Sequence, residues 1–285
     1  TITELRTVVW AAYQEPPPRD FTLMAVIGRD HGDKPYRLRA WIRHRNQRAG
    51  ERRYFSGEPS VAGDWTEIRR QLGTLVETVC TELRDLYERN GEVGETRLSV
   101  EYFLPFELLL AHDADIEHAL FPQGKRRRPI GMYHRVLARS TDRVYDPDFA
   151  HDRNALWEWR QRWAELERGA AGDDEQKVHW LYSSAECCDD RVFDNLNKPR
   201  RLGLILTCSP CQTGTDSESF LWSLLSAGAP VALWPRRDNV NAADELHILL
   251  TGPLAELHDR VKSYRFAAGT SGDTQHLGGQ LTLLW

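Results

Sequence analysis

The chain has 285 residues, 41% of them hydrophobic and 28% charged, which is enough for one large or two modest domains with a sizeable core. A net charge of −5 excludes a chain-wide nucleic-acid or membrane-surface signature. No apolar run approaches the length of a membrane span, and the opening TITELRTVVW lacks the basic start of a secretory signal.

The first third reads as a strand meander followed by a helix. Phe21–Ile27, Tyr36–Arg43 and Arg52–Phe55 are short strand segments separated by turn-rich pieces such as GRDHGDKP. In the second, Tyr36, Leu38, Ala40 and Ile42 alternate with Arg37, Arg39, Trp41 and Arg43, a half-buried strand with a basic outer face. Asp64–Asn90 keeps three-and-four spacing from Trp65 through Ile68, Leu72, Val76, Val79 and Leu83, so it is predicted as a long helix. Asp64 with Glu67 resembles a capping box, and Asn90–Gly91 supplies a stop. Arg97–Leu104 is the next strand, and Pro105 opens a short helix, Phe106–Ala111. Asp113–Pro129 has poor periodicity. Gly131–Val144 reads as a strand with a turn after it, and Asp146–Asp152 as a junction.

Beyond the junction, Asn154–Arg168 is an amphipathic helix holding Trp157, Trp159 and Trp163. Val178–Tyr182 and the nearly all-apolar Arg201–Thr207 are strands. A helix over 217–227 and a strand over 230–234 complete a βαβ unit with the second of these. Gly228 stands where a left-handed C-cap would end that helix. Helices at Ala242–Leu250 and Leu254–Ser263, a polar loop at Gly269–Asp273 and a last strand, Gln280–Trp285, follow. The expected fold is α/β, a mixed β-sheet with flanking helices. Residues 1–152 form an N-terminal lobe with the meander, and 153–285 a C-terminal lobe with the βαβ unit.

The chain carries several fragments of possible chemistry. Cys208 and Cys211 form a C-x-x-C after strand 201–207, with Cys187, Cys188 and His179 upstream. Adjacent cysteines rarely both face one metal and no second C-x-x-C exists, so unliganded thiols are preferred to zinc. The five cysteines are odd in number and clustered, which favours a reducing, cytoplasmic setting. Cys208 with His179 as its base loosely evokes a caspase-like peptidase, but the Q-A-C-x-G signature is absent and Pro210 crowds the thiol. Glu101, in mid-strand, is reminiscent of metal-dependent nucleases, yet the first strand, FTLMAVIG, offers no second acid. An arginine-paired structural carboxylate is the preferred reading of Glu101. The basic run Lys125–Arg128 reads as a solvated loop. No phosphate-binding G-x-x-x-x-G-K-[ST] and no G-x-S-x-G elbow occurs. The tryptophan helix either fills the core or offers one ring to a partner, with nothing to choose between the two.

The site favoured by position is the carboxyl edge of the second-half sheet. It comprises Thr207, Cys208, Ser209, Asp216, Trp234, Arg236, Arg237 and Asp238. Arg236 and Arg237 would hold an acidic partner or a phosphate there. A surface salt-bridge cluster with Asp216 and Asp238 is an equal alternative.

SVEYFLPFELLL, the WRQRW helix, SAGAPVALWPRRD and the final LTLLW together resemble the C-terminal domain of the vWA–MoxR-associated protein, VMAP. The strongest blocks are Glu101–Pro105 with Glu107, Leu108 and Leu109, and Ala227, Gly228, Pro230, Val231, Leu233 and Trp234. The resemblance covers the chain from about Phe21 onward and is weakest over Asp113–Pro129. It implies a non-enzymatic adaptor, scaffold or sensor in a bacterial NTP-dependent conflict (defence) system, between a MoxR-type AAA+ ATPase, a vWA protein and an effector such as a peptidase. It also agrees with a segment cut from a longer protein, as the absent initiator methionine suggests. It carries over no catalytic residues. No cofactor or metal is expected, and neither a membrane nor nucleic acid is an expected partner. The enzyme readings, through Cys208 and His179 or through Glu101, remain the alternative.

Overall fold

The computed structural model describes residues 20–29, 35–44, 53–54, 61–89, 97–111, 119–123, 126–145, 153–168, 177–183, 186, 191–197, 200–210, 217–271 and 276–285. In chain order the strands and helices are β1 (Asp20–Arg29), β2 (Tyr36–His44), β3 (Arg53–Tyr54), β4 (Val61–Gly63), α1 (Trp65–Arg89), β5 (Arg97–Leu104) and α2 (Phe106–Leu110). Next come β6 (Leu120–Gln123), β7 (Arg126–Pro129), α3 (Ile130–Tyr133), β8 (Arg135–Ser140), α4 (Asp142–Tyr145) and α5 (Arg153–Glu167). The rest are β9 (Val178–Leu181), α6 (Arg191–Asn197), β10 (Gly203–Leu206), α7 (Ser217–Ser226), β11 (Val231–Pro235), α8 (Ala242–Leu250), α9 (Leu257–Ser271) and β12 (Leu281–Leu284). The fold is α/β, with mixed sheet and flanking helices.

The chain divides into two compact units, Thr1–Phe103 with Ile116–Leu137, and Leu104–Asp115 with Ala138–Trp285. In the first, the strand order is β3-β2-β1-β5, with β4 also paired to β2. β1 runs antiparallel to β2 and parallel to β5. Phe21, Leu23, Ala25 and Ile27 of β1 are buried and alternate with half-buried neighbours, the pattern of a sheet with one closed face. α1 packs on β2, β4 and β6, and its stripe Ile68, Leu72, Val76, Val79 and Leu83 is buried. Its start is capped as the sequence suggests: the Glu67 N–H donates to Asp64 Oδ1 at 2.8 Å.

In the second unit the order is β8-β12-β11-β10-β9. β9, β10 and β11 are mutually parallel, and β12 is antiparallel to β11. β10 and β11 are buried at every position, so they read as unbroken apolar runs. Gly228 has φ +70°, which sets the left-handed end of α7. A Cβ there would stand 2.8 Å from the Trp159 nitrogen, so the glycine also lets α5 approach.

Four segments differ from the sequence reading. Gly131–Val144 is not one strand, because Pro129 turns the chain into α3 and only Arg135–Ser140 is extended. Within the aperiodic Asp113–Pro129 lies the β6–β7 hairpin, where Pro122 and a row of arginines obscure any alternation. Lys125 lies outside the described residues. The predicted loop at Gly269 is helical as far as Ser271, its hydroxyl residues bonding back to the carbonyls of Phe266, Ala267 and Ala268. Helix α6 is too short for periodicity to reveal it, with only Val192 and Leu196 buried.

Candidate docking edge

Three parallel strands of the second unit end side by side at Leu181, Leu206 and Pro235, and their loops are stitched to one another. The Thr207 N–H donates to the Leu181 carbonyl at 3.0 Å, and Thr207 Oγ1 to the Tyr182 carbonyl at 3.3 Å. The Tyr182 N–H donates to Glu186 Oε2 at 2.8 Å. The Ser209 N–H, on a fully buried residue, donates to Asp238 Oδ1 at 3.1 Å, tying the loop after β10 to the loop after β11.

The two arginines at this edge have opposite fates. Arg236 is 3% exposed: its Nη1 donates to the Ala111 carbonyl at 2.7 Å and its backbone N–H to the Gln280 carbonyl at 2.7 Å. It is a clamp between the end of α2, the end of β11 and the residue before β12. Trp234 is equally internal at 1% exposure. Arg237 and Asp238 are exposed. Asp216 and Cys211 lie outside the described residues, as do Cys187 and Cys188.

The second unit also exposes apolar side chains that the sequence reading did not include. Trp180 stacks on His247 of α8 at 4.1 Å between ring centroids and on Tyr182 at 6.0 Å. Tyr182 is 56% exposed, Ile248 71% and Val240 101%. The signal was legible for Ile248, which stands off the buried stripe of Ala242, Leu246, Leu249 and Leu250. Val240 lies in a polar turn, NVNAAD, where no burial pattern could flag it.

The residues of the enzyme readings are dispersed. His179 is in register with Leu204 inside the sheet, whereas Cys208 lies two residues past the end of β10. A base must reach its nucleophile within hydrogen-bond distance. Burial, helped by Arg201 and opposed by Glu186, pushes the His179 imidazole down. Glu101 belongs to the first unit, 9% exposed and in register with Met24. Among the described residues no group of three or more His, Cys, Asp or Glu stands where it could hold a metal ion.

The structure does bring one other thiol to a histidine. Cys80 Sγ of α1 lies 3.8 Å from His134 Nε2. Burial pushes this thiol up to about 11, against the pull of Arg84, so at neutral pH it remains protonated and a poor nucleophile.

The tryptophans of α5 divide. Trp159 and Trp163 stack at 6.1 Å, with Arg143 over the first ring and Arg139 over the second. Trp285 meets Trp163 edge-on and lies parallel to His258 at 5.1 Å, while its carbonyl accepts from Arg139. Trp157 is 56% exposed. Trp159 and Trp163 are half-buried packing rings, and Trp157 is the ring the helix displays.

A family model described as the vWA-MoxR associated protein C-terminal domain matches residues 34–285. No curated protein matches the chain.

Proposed function

Since the chain belongs to the family of vWA-MoxR associated protein C-terminal domains, we propose that it is a non-enzymatic adaptor or sensor module. In this reading it links a MoxR-type ATPase and a vWA protein to an effector in a bacterial defence system. The family name supports association with those two protein classes. The observation that carries a docking role is the exposure of Tyr182, Val240 and Ile248 in the same unit as the exposed pair Arg237 and Asp238. Large apolar side chains held in solvent together with exposed charge are what a protein partner would cover.

The test is capture of the vWA protein and the ATPase by the full chain. Val240→Asp with Ile248→Asp, and separately Arg237→Glu, should each lower capture at least about tenfold. Their unfolding midpoints should stay near that of the parent, as expected of surface changes. Arg236 is not a suitable probe, since its replacement breaks an internal clamp. Cys208→Ala should leave the system's output intact. Undiminished capture by both surface variants, or loss of output in a folded Cys208→Ala protein, would sink the adaptor reading.

A further inference from the structure

The first unit has a second surface of a different chemical kind. α1 closes one face of its sheet, and the other face carries Arg37, Arg39, Trp41 and Arg43 on β2. The register sets Arg43 opposite Thr22, Trp41 opposite Met24 and Arg39 opposite Val26 on β1. On the far side of β1, Ser99, Glu101 and Phe103 of β5 complete the same three rows. Trp41 and Phe103 reach over β1 from its two flanks, their rings 6.5 Å apart at 28°. The indole is fixed by its Nε1–H on Met24 Sδ at 2.9 Å.

Arg39, Arg43 and Arg97 are exposed, while Trp41, Met24, Val26 and Phe103 are half-buried. Among the described residues of these rows the acids are Asp20, in register with Arg97, and Glu101, which is 9% exposed. Among the described residues, arginine therefore outweighs carboxylate where solvent reaches. Outward side chains on a strand repeat at about 7 Å, so β2 presents charge, ring, charge along a line. The chain-wide charge of −5 does not describe this patch.

We propose that this face binds single-stranded nucleic acid. Bases stack on aromatic side chains of an open sheet while the guanidinium groups neutralise the backbone. An acidic peptide would use the arginines but leave the rings without a role, so both features together favour the nucleic acid. This inference is independent of the adaptor reading, because its residues lie in the other unit from Arg237, Val240 and Ile248.

Fluorescence anisotropy of the full chain with labelled oligouridylate, titrated across salt from about 50 mM upward, tests it. Binding should weaken as salt rises. Arg39→Gln with Arg43→Gln should reduce the slope of log affinity against log salt by about 1.4, as loss of two phosphate contacts to a single strand requires. Phe103→Leu should weaken binding about tenfold with the slope unchanged, since stacking releases no counterions. A polyglutamate peptide should not displace the oligonucleotide. Absence of binding at about 50 mM salt, or a parental slope in the double variant, overturns the proposal. Displacement by polyglutamate at equal charge does so too, and identifies an acidic protein segment as the occupant. Far-ultraviolet circular dichroism shows that each variant is folded, and none of these outcomes bears on capture through Ile248.

Discussion

At the residue scale, Gly228 joins two demands that no other residue meets. Its φ of +70° disfavours any side chain, and the Trp159 nitrogen stands 2.8 Å from where a Cβ would be. Gly228→Ala should therefore cost about 2 kcal/mol or more in urea unfolding. The αL cap could be read from the sequence, but the contact with α5 could not, because it depends on packing across some seventy intervening residues. Asp142 gives a pH-dependent case. Its carboxylate accepts from the Phe106 N–H at 3.0 Å, and burial, outweighing that bond, raises its proton affinity above the ordinary carboxylate range. A group with a raised folded-state value stabilises most below its unfolded value of 3.8, and loses that contribution as pH rises through the folded value. Asp142→Asn keeps the acceptor but cannot ionise. Parent minus variant stability, from urea melts, should thus fall as pH climbs from 3.8 toward neutrality. Asp142→Ala should lose the acceptor of the Phe106 N–H as well, at about 1 kcal/mol.

At the element scale, arginine fastens the ends of helices and strands to remote carbonyls. Arg162, 1% exposed, donates from Nη1 to Leu196 and Arg201 at 3.2 and 2.8 Å and from Nη2 to Asn197, joining α5 to the end of α6 and the entry to β10. Arg260 of α9 donates to Leu249, Pro253 and Gly252 at the end of α8. Arg265 reaches the Leu281 carbonyl, and Arg236 that of Ala111. Arg162→Lys keeps the charge but loses the planar fork that satisfies several acceptors together. It should cost about 2 kcal/mol in thermal or urea unfolding, and Arg162→Ala more. These roles were hidden in the sequence. Periodicity identifies the apolar stripes of α1, α7 and α8, which are local, whereas Arg236 and its acceptor are 125 positions apart. An arginine at a strand end therefore looked like a ligand group when it was a fastener.

At the scale of the whole molecule, the class of fold was legible because its strongest elements carry their own patterns. The extended run of β1, the long stripe of α1 and the apolar blocks of β10 and β11 all appear as written, while of the alternating apolar set of β2 only Leu38 is buried, with Arg39 and Arg43 exposed. Strand order was not legible, since nothing in LTLLW says that it lies between β8 and β11. That placement predicts a severe truncation phenotype. Removing Leu281–Trp285 takes away an interior strand with every residue buried, and should abolish the near-ultraviolet circular dichroism signal of the tryptophans around α5. The same strand sets a schedule for synthesis. Arg139 must wait until Trp285, 146 residues later, supplies its carbonyl. At ordinary elongation rates that is roughly 7 to 30 s. Until β12 arrives, β8 and β11 leave the ribosome with no neighbour between them. From the completion of β11 at Pro235 until β12 begins at Leu281, the nascent chain therefore carries an open apolar edge on each of those two strands.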